Sequence, residues 1–152
     1  MRIRDILDQI SAKFPQKAAV VFQDETVTFA YLREQVFRLA NVLTALGVQK
    51  GDKVGIYLPN SPEYVYGYLA SFCLGAVVVP LDFMLKEEEL VSCLEHAESK
   101  ILLCKSRKDI SYEAIKSRVA SLETVIDCGK EITGLLSLTV LMEKASTFLE
   151  ET

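Results

Sequence analysis

The sequence has one histidine, His96, and four cysteines without a CxxC pair. That leaves no His-rich or paired-Cys metal constellation. Cys73, Cys93, Cys104 and Cys128 lie far apart, and three of them fall in segments that read as buried helix or strand. They read as reduced packing thiols, which implies a cytoplasmic protein. No run is long and apolar enough to span a bilayer, and MRIRDILDQI is too broken by charge for a signal peptide. There is no GxGxxG and no GxxxxGK[ST]; the seven glycines are scattered at turns and helix ends. Only glycine lets backbone N–H groups close around a phosphate, so neither common phosphate loop is present. No serine has a GxSxG context, and no nucleophile is nominated. The net charge of -4 argues against a nucleic-acid or anionic-membrane surface.

What is present is apolar and periodic. The chain has 152 residues, 50% hydrophobic and 25% charged, enough for a core and a soluble surface. The stretch from Lys53 to Pro80 organises it. Lys53 to Leu58 reads as a buried strand stopped by Pro59 and Asn60. Ser61 stands at an N-cap, Pro62 at the first helical position and Glu63 in the first turn. That helix runs to about Leu74, Gly75 ends it, and Ala76 to Val79 is a second strand closed by Pro80. Short connections between them predict a right-handed parallel βαβ unit. The helix is apolar on most sides, which places the unit in the interior of a layered body.

Before this unit, Arg2 to Lys13 reads as an amphipathic helix, and Ala18 to Phe22 with Val27 to Phe29 as a small hairpin. Thr28 caps a long helix from Phe29 to Leu46, ended by Gly47. After Lys53, strand-like runs begin at Lys53, Ala76, Lys100 and Thr124, at intervals of 23 or 24 residues. Helical stretches at Pro62 to Leu74, Glu87 to Ala97 and Tyr112 to Ala120 fill the gaps. The expected fold is α/β: a doubly wound, mostly parallel sheet with helices on both faces, preceded by a small N-terminal helix and β-hairpin. Residues 1–52 form the leading part, 53–128 the βα units, and 129–152 a helix and polar tail. Ligands of such a sheet bind beyond the strands' C-terminal ends. Here those are Pro59 to Ser61, Leu81 to Lys86, Lys105 to Asp109 and Gly129 to Thr133.

The candidate chemistry along the chain has plainer explanations. Glu87, Glu88 and Glu89 read as acidic residues favoured at a helix N-terminus. His96 reads as a surface residue in that helix's last turn. Tyr64 and Tyr68, at i and i+4, read as packing with their hydroxyls at the rim. Ser61-Pro62 reads as an N-cap rather than an anion site, because Pro62 lacks an N–H and Glu63 adds negative charge.

Four stretches taken together carry a family resemblance. Thr28-Phe29-Ala30-Tyr31-Leu32 resembles a Thr-Tyr-x-x-Leu core motif. Leu46 to Val54 is similar to a Leu-Gly-Val-x-x-Gly-Asp-x-Val turn. Leu58 to Tyr64 resembles Leu-Pro-Asn-Ser-Pro-Glu-Phe, and Leu74 to Leu81 resembles a second core motif. In this order and spacing, over roughly residues 3 to 128, they are similar to the N-terminal part of AMP-forming acyl-CoA synthetases. Those belong to the wider adenylate-forming family, with luciferases and peptide-synthetase adenylation domains.

The resemblance implies a leading subdomain. The parent enzyme would use ATP, Mg²⁺ and CoA to join a carboxylic acid, taken as a long- or medium-chain fatty acid, to CoA through an acyl-adenylate. The family's Lys-Gly-ending phosphate loop, nucleotide motifs, Mg²⁺-associated Glu and catalytic lysine have no match here. No catalytic residue or metal ligand is therefore nominated, no cofactor is expected bound, and the chain alone is expected to be inactive. Its partners would be the remaining subdomains of the same enzyme, and an exposed apolar face would make it self-associate. The alternatives are an enzyme that loads a carrier protein, and a stand-alone binding module. After the second motif many members read Pro-Leu-Asn-Pro-Arg-Leu, whose arginine in some contacts CoA phosphate. This chain reads Pro80-Leu81-Asp82-Phe83-Met84-Leu85. Met84 cannot make a charged contact, and Lys86, two residues on, is the candidate substitute.

Overall fold

The computed structural model describes residues 1–129 and 132–150. Part of the expected C-terminal tail and of the edge from Gly129 to Thr133 lies outside the described residues. α1 (Ile3–Lys13) leads into a hairpin of β1 (Ala18–Phe22) and β2 (Glu25–Thr28) and then α2 (Phe29–Ala45). The hairpin is antiparallel. As expected, the Thr28 hydroxyl caps α2, accepting from the Tyr31 N–H at 3.2 Å. Gly47, at φ +88°, turns the chain out of the helix.

The remaining order is β3 (Lys53–Tyr57), α3 (Pro62–Cys73), β4 (Val77–Pro80), α4 (Glu87–Ala97), β5 (Ile101–Cys104), α5 (Tyr112–Arg118), β6 (Thr124–Asp127), β7 (Leu136–Ser137) and α6 (Leu138–Lys144). β3 to β7 form a parallel sheet in the order β4-β3-β5-β6-β7. The order reverses between β3 and β5, which makes that gap the topological switch point. Alternation sorts the strand side chains onto two faces. Val54, Ile56, Ile101, Leu103 and Ile126 meet the core under α1, α2, α3 and α6. Tyr57, Leu102, Cys104 and Val125 meet the core under α4 and α5. The fold is the doubly wound sheet that the spacing predicts, preceded by the predicted helix and hairpin.

Three local readings need correction. Ser61 occupies the N-cap of α3 but does not cap it; its hydroxyl donates to the Pro59 carbonyl at 3.0 Å. Pro62 has already removed one of the N–H groups a cap would serve. The helix expected after residue 129 is α6, but a strand was missed before it: Leu136–Ser137 pairs in parallel with Ile126 and Asp127. A two-residue strand is too short to show alternation. The βα unit at Lys53 is also not wholly interior. β4 is an edge strand, with Val77 48% and Phe72 43% exposed. The N–H groups of Val77 and Leu81 donate to the carbonyls of Asp52, just before β3, and Ile56, within it, so Pro80 turns its donor-less nitrogen outward, where no ladder bond is lost.

α3 lies tight on the sheet. A Cβ at Gly67 would come within 2.9 Å of Ile56 Cδ1 and 3.1 Å of Leu103 Cδ1. Gly67→Val should therefore cost about 1–3 kcal/mol by overpacking, read as a lower urea midpoint at unchanged slope.

At the opposite end of the sheet, the Lys100 ammonium donates to the Gly47 carbonyl at 2.7 Å and to Asp52 at 2.9 Å. Asp52 also accepts the Gln49 N–H. The Lys100 hydrogen bond, followed by that of Gln49, holds the Asp52 carboxyl below its usual range. A lowered pKa stabilises the fold fully above the unfolded value of about 3.9, and the effect is lost as pH falls through the folded value. Asp52→Asn should lower stability at pH 7 and flatten the loss below about pH 4, as followed by urea unfolding across pH.

Candidate functional site at the strand ends

The C-terminal ends of β3, β4 and β5 are joined by one arginine. Arg107 follows β5 and reaches across to the β4–α4 loop. Its guanidinium donates to the Tyr57 hydroxyl at 2.8 Å and to the carbonyls of Phe83 and Leu85 at 2.5 and 3.1 Å. The other nitrogen pairs with Asp109 at 2.8 Å, and the group sits over the Phe83 ring. The Tyr57 hydroxyl donates in turn to the Leu85 carbonyl at 2.7 Å. Burial raises the Tyr57 pKa against the pull of the Arg107 charge. The phenol therefore stays a neutral donor near pH 7.

This tie shapes the loop carrying the two sequence-nominated residues. Asp82 accepts the Met84 N–H through its side chain at 2.8 Å, and the Leu85 N–H through its carbonyl. Met84 stands on this turn, 75% exposed. Lys86 is exposed at the N-cap of α4, and its N–H donates to the Glu89 carboxylate at 2.8 Å. Met84 and Lys86 thus share one exposed loop beside the switch point.

The acidic run beside them is structural, as read. Glu87 accepts the Ser111 N–H at 2.8 Å, Glu88 forms a two-pronged pair with Arg118, and Glu89 serves Lys86. Tyr64 and Tyr68 stack at 5.4 Å along α3. His96 is exposed in the last turn of α4. All four cysteines are free thiols. Cys93 is exposed, whereas burial raises the pKa of Cys73 to about 11 and pushes Cys104 and Cys128 up further.

Sequence reading missed Tyr57, Arg107 and Asp127. Asp127 is 2% exposed and accepts the N–H groups of Gly129 and Ile132 at 2.8 and 3.0 Å, fixing the chain after β6. Its only sequence signal was an acid at the end of an apolar strand. Arg107 lies in the strand end from Lys105 to Asp109 that the sequence pointed to, but beside Lys105 and Lys108 it was not singled out. A cleft of about 860 Å³ lies between this loop, α5 and the segment from Ile132 to Leu135. Among the described residues no group of three or more His, Cys, Asp or Glu side chains is placed to hold a metal, and no helix is long and apolar enough to cross a membrane.

An open α/β sheet with a shaped loop cluster at its switch point is a nucleotide-type scaffold. The sequence model of the AMP-binding enzymes matches residues 7–148, and the chain belongs to that family. Crotonobetaine/carnitine–CoA ligase of Salmonella agona is 26% identical over 156 residues, covering 97% of this chain and 30% of the relative. Among solved structures, the anthranilate CoA ligase AuaEII in complex with anthranoyl-AMP superposes with a TM-score of 0.90 at 25% identity. It covers all of this chain and 30% of that one. A long-chain-fatty-acid–CoA ligase from Archaeoglobus fulgidus superposes with a TM-score of 0.87 at 26% identity, covering 100% and 32%. The chain therefore spans less than a third of the length of these relatives.

If Arg107 sets the β4–α4 loop, its loss should be local. Arg107→Lys should speed amide exchange at Met84 and Leu85 by about tenfold, equivalent to about 1.4 kcal/mol of local opening, while exchange in β3 and β5 stays unchanged.

Proposed function

We propose that this chain is the leading subdomain of an ATP-dependent, AMP-forming ligase. The parent joins a carboxylic acid to CoA through an acyl-adenylate. The observation that carries this reading is the superposition of the whole chain on CoA ligases, together with the family match over residues 7–148. A long- or medium-chain fatty acid is the proposed substrate class, supported by the fatty-acid ligase among the structural neighbours.

ATP and CoA belong to the reaction, and in the parent Mg²⁺ would accompany the nucleotide. The residues of this chain do not fit the nucleotide or the metal. They include no glycine-rich phosphate loop, and the described residues hold no metal-ligand cluster. No step through either group is assigned to them. The chain's own part is scaffolding: Arg107 and Tyr57 hold the β4–α4 loop at the crevice edge. Lys86, exposed and cationic on that loop, is the proposed contact for a CoA phosphate. Met84 beside it offers only apolar surface. The remaining subdomains are the proposed partners, docking on the exposed apolar side chains that include Phe72 and Val77.

The division of labour is testable by pyrophosphate exchange with ATP, Mg²⁺ and a panel of fatty acids. The chain alone should match a heat-denatured control. Exchange above that control places the adenylating groups within these 152 residues and overturns the scaffolding reading.

A further inference from the structure

After α6, residues 145–150 run from α2 to α1 as a strap with no helix or strand of their own. The strap is held by its carbonyls. Arg38 donates to those of Met142 and Ala145 at 2.8 and 2.9 Å. The Asn41 carboxamide spans those of Ser146 and Phe148 at 2.9 and 2.8 Å. The Arg4 guanidinium takes those of Leu149 and Glu150 at 2.5 and 2.8 Å. Of the strap's carbonyls, only that of Thr147 receives none of these bonds.

The strap's side chains take little part. Ser146, Thr147, Phe148 and Glu150 are exposed. Leu149 alone of the six is buried, and it joins the core under α1, α2, α3 and α6. The receiving side is built for this purpose. Glu34 aims the Arg38 guanidinium from one turn away, at 3.1 Å. Arg4 is only 8% exposed, forms no ion pair among the described residues, and gives its hydrogen bonds to the two strap carbonyls. A buried cation needs such partners, so the position calls for a main chain laid across it.

We propose that the ledge formed by α1 and α2 is a receptor for a peptide main chain in an open, non-helical conformation, and that residues 145–150 are its displaceable resident. Arg4, Arg38 and Asn41 read the carbonyls, and one leucine-sized side chain at position 149 supplies the anchor. The side chains between are free to vary. Main-chain bonds give such a mode its affinity, and the anchor gives it selectivity. Ordering six residues costs conformational entropy comparable to what one buried leucine and these bonds return, so the strap opens locally while the sheet stays folded. The ledge shares no residue with the strand-end loops and does not rest on the ligase reading.

The test is an NMR titration with an end-blocked peptide of residues 143–150 in their natural sequence. In the 152-residue chain carrying Leu149→Asp, whose own strap cannot seat, the Asn41 and Arg4 side-chain signals should report saturable binding. A Kd of about 0.1 mM or tighter is expected. The unaltered chain should bind about tenfold more weakly, because its own strap competes. Its Leu149 methyl signals should move to their released positions as peptide is added, a measurement that holds even where the variant fails to fold. A peptide with Phe148→Ala should bind as tightly, and one with Leu149→Asp should not saturate. No displacement of Leu149 in the unaltered chain, no saturation of the folded variant, equal binding of the Leu149→Asp peptide, or lost binding with Phe148→Ala overturns the proposal.

Discussion

The structure depends on how closely α3 can lie on β3 and β5. Gly67 has no side chain, and the space a Cβ would take is held by Ile56 and Leu103. Those two side chains belong to the core under α1, α2, α3 and α6. Bringing α3 down onto them brings α2 with it, because the helices of that face pack as one layer. β3 is then buried on both faces: Val54 and Ile56 on one, and Tyr57 on the other, are 0% exposed. A parallel sheet needs this double cover, since its strands have no wet face.

The same geometry makes the strand-end loops specific. With β3 and β5 fixed side by side, Tyr57 and Arg107 arrive at the switch point from adjacent strands. Their hydrogen bonds converge on two carbonyls of the β4–α4 loop. An exposed loop is thus held by one buried and one half-buried neighbour, Tyr57 and Arg107, which fixes the direction its side chains face.

The sheet was legible in the sequence because each of its elements repeats one signal. Apolar runs recurred at a nearly constant interval, and Gly47 and Gly75 stood where positive φ ends a helix. β7 was invisible because two residues carry no period. The Ser61 cap was misread because Pro62 made the signature look complete while removing part of the need for it. The candidate site was less legible. Lys86 and Met84 came from a family resemblance, and the structure places them on one exposed loop. Tyr57 gave no local sign, and Arg107 was not singled out within the strand end from Lys105 to Asp109. Arg107's importance comes from partners 22 to 50 residues away.

Pro80 has a consequence for how the sheet can grow. A strand edge recruits neighbours by offering donors and acceptors in regular alternation. On β4 the inward-facing positions are spent on β3, and of the outward-facing positions at Val78 and Pro80 only Val78 brings an N–H. Repeated edge-to-edge stacking of the kind that builds fibrils requires an unbroken row of such donors. The chain thus carries an exposed, valine-rich edge that keeps its outward carbonyls but lacks one of the two outward donors at Val78 and Pro80, so a strand added there would find its ladder broken at Pro80.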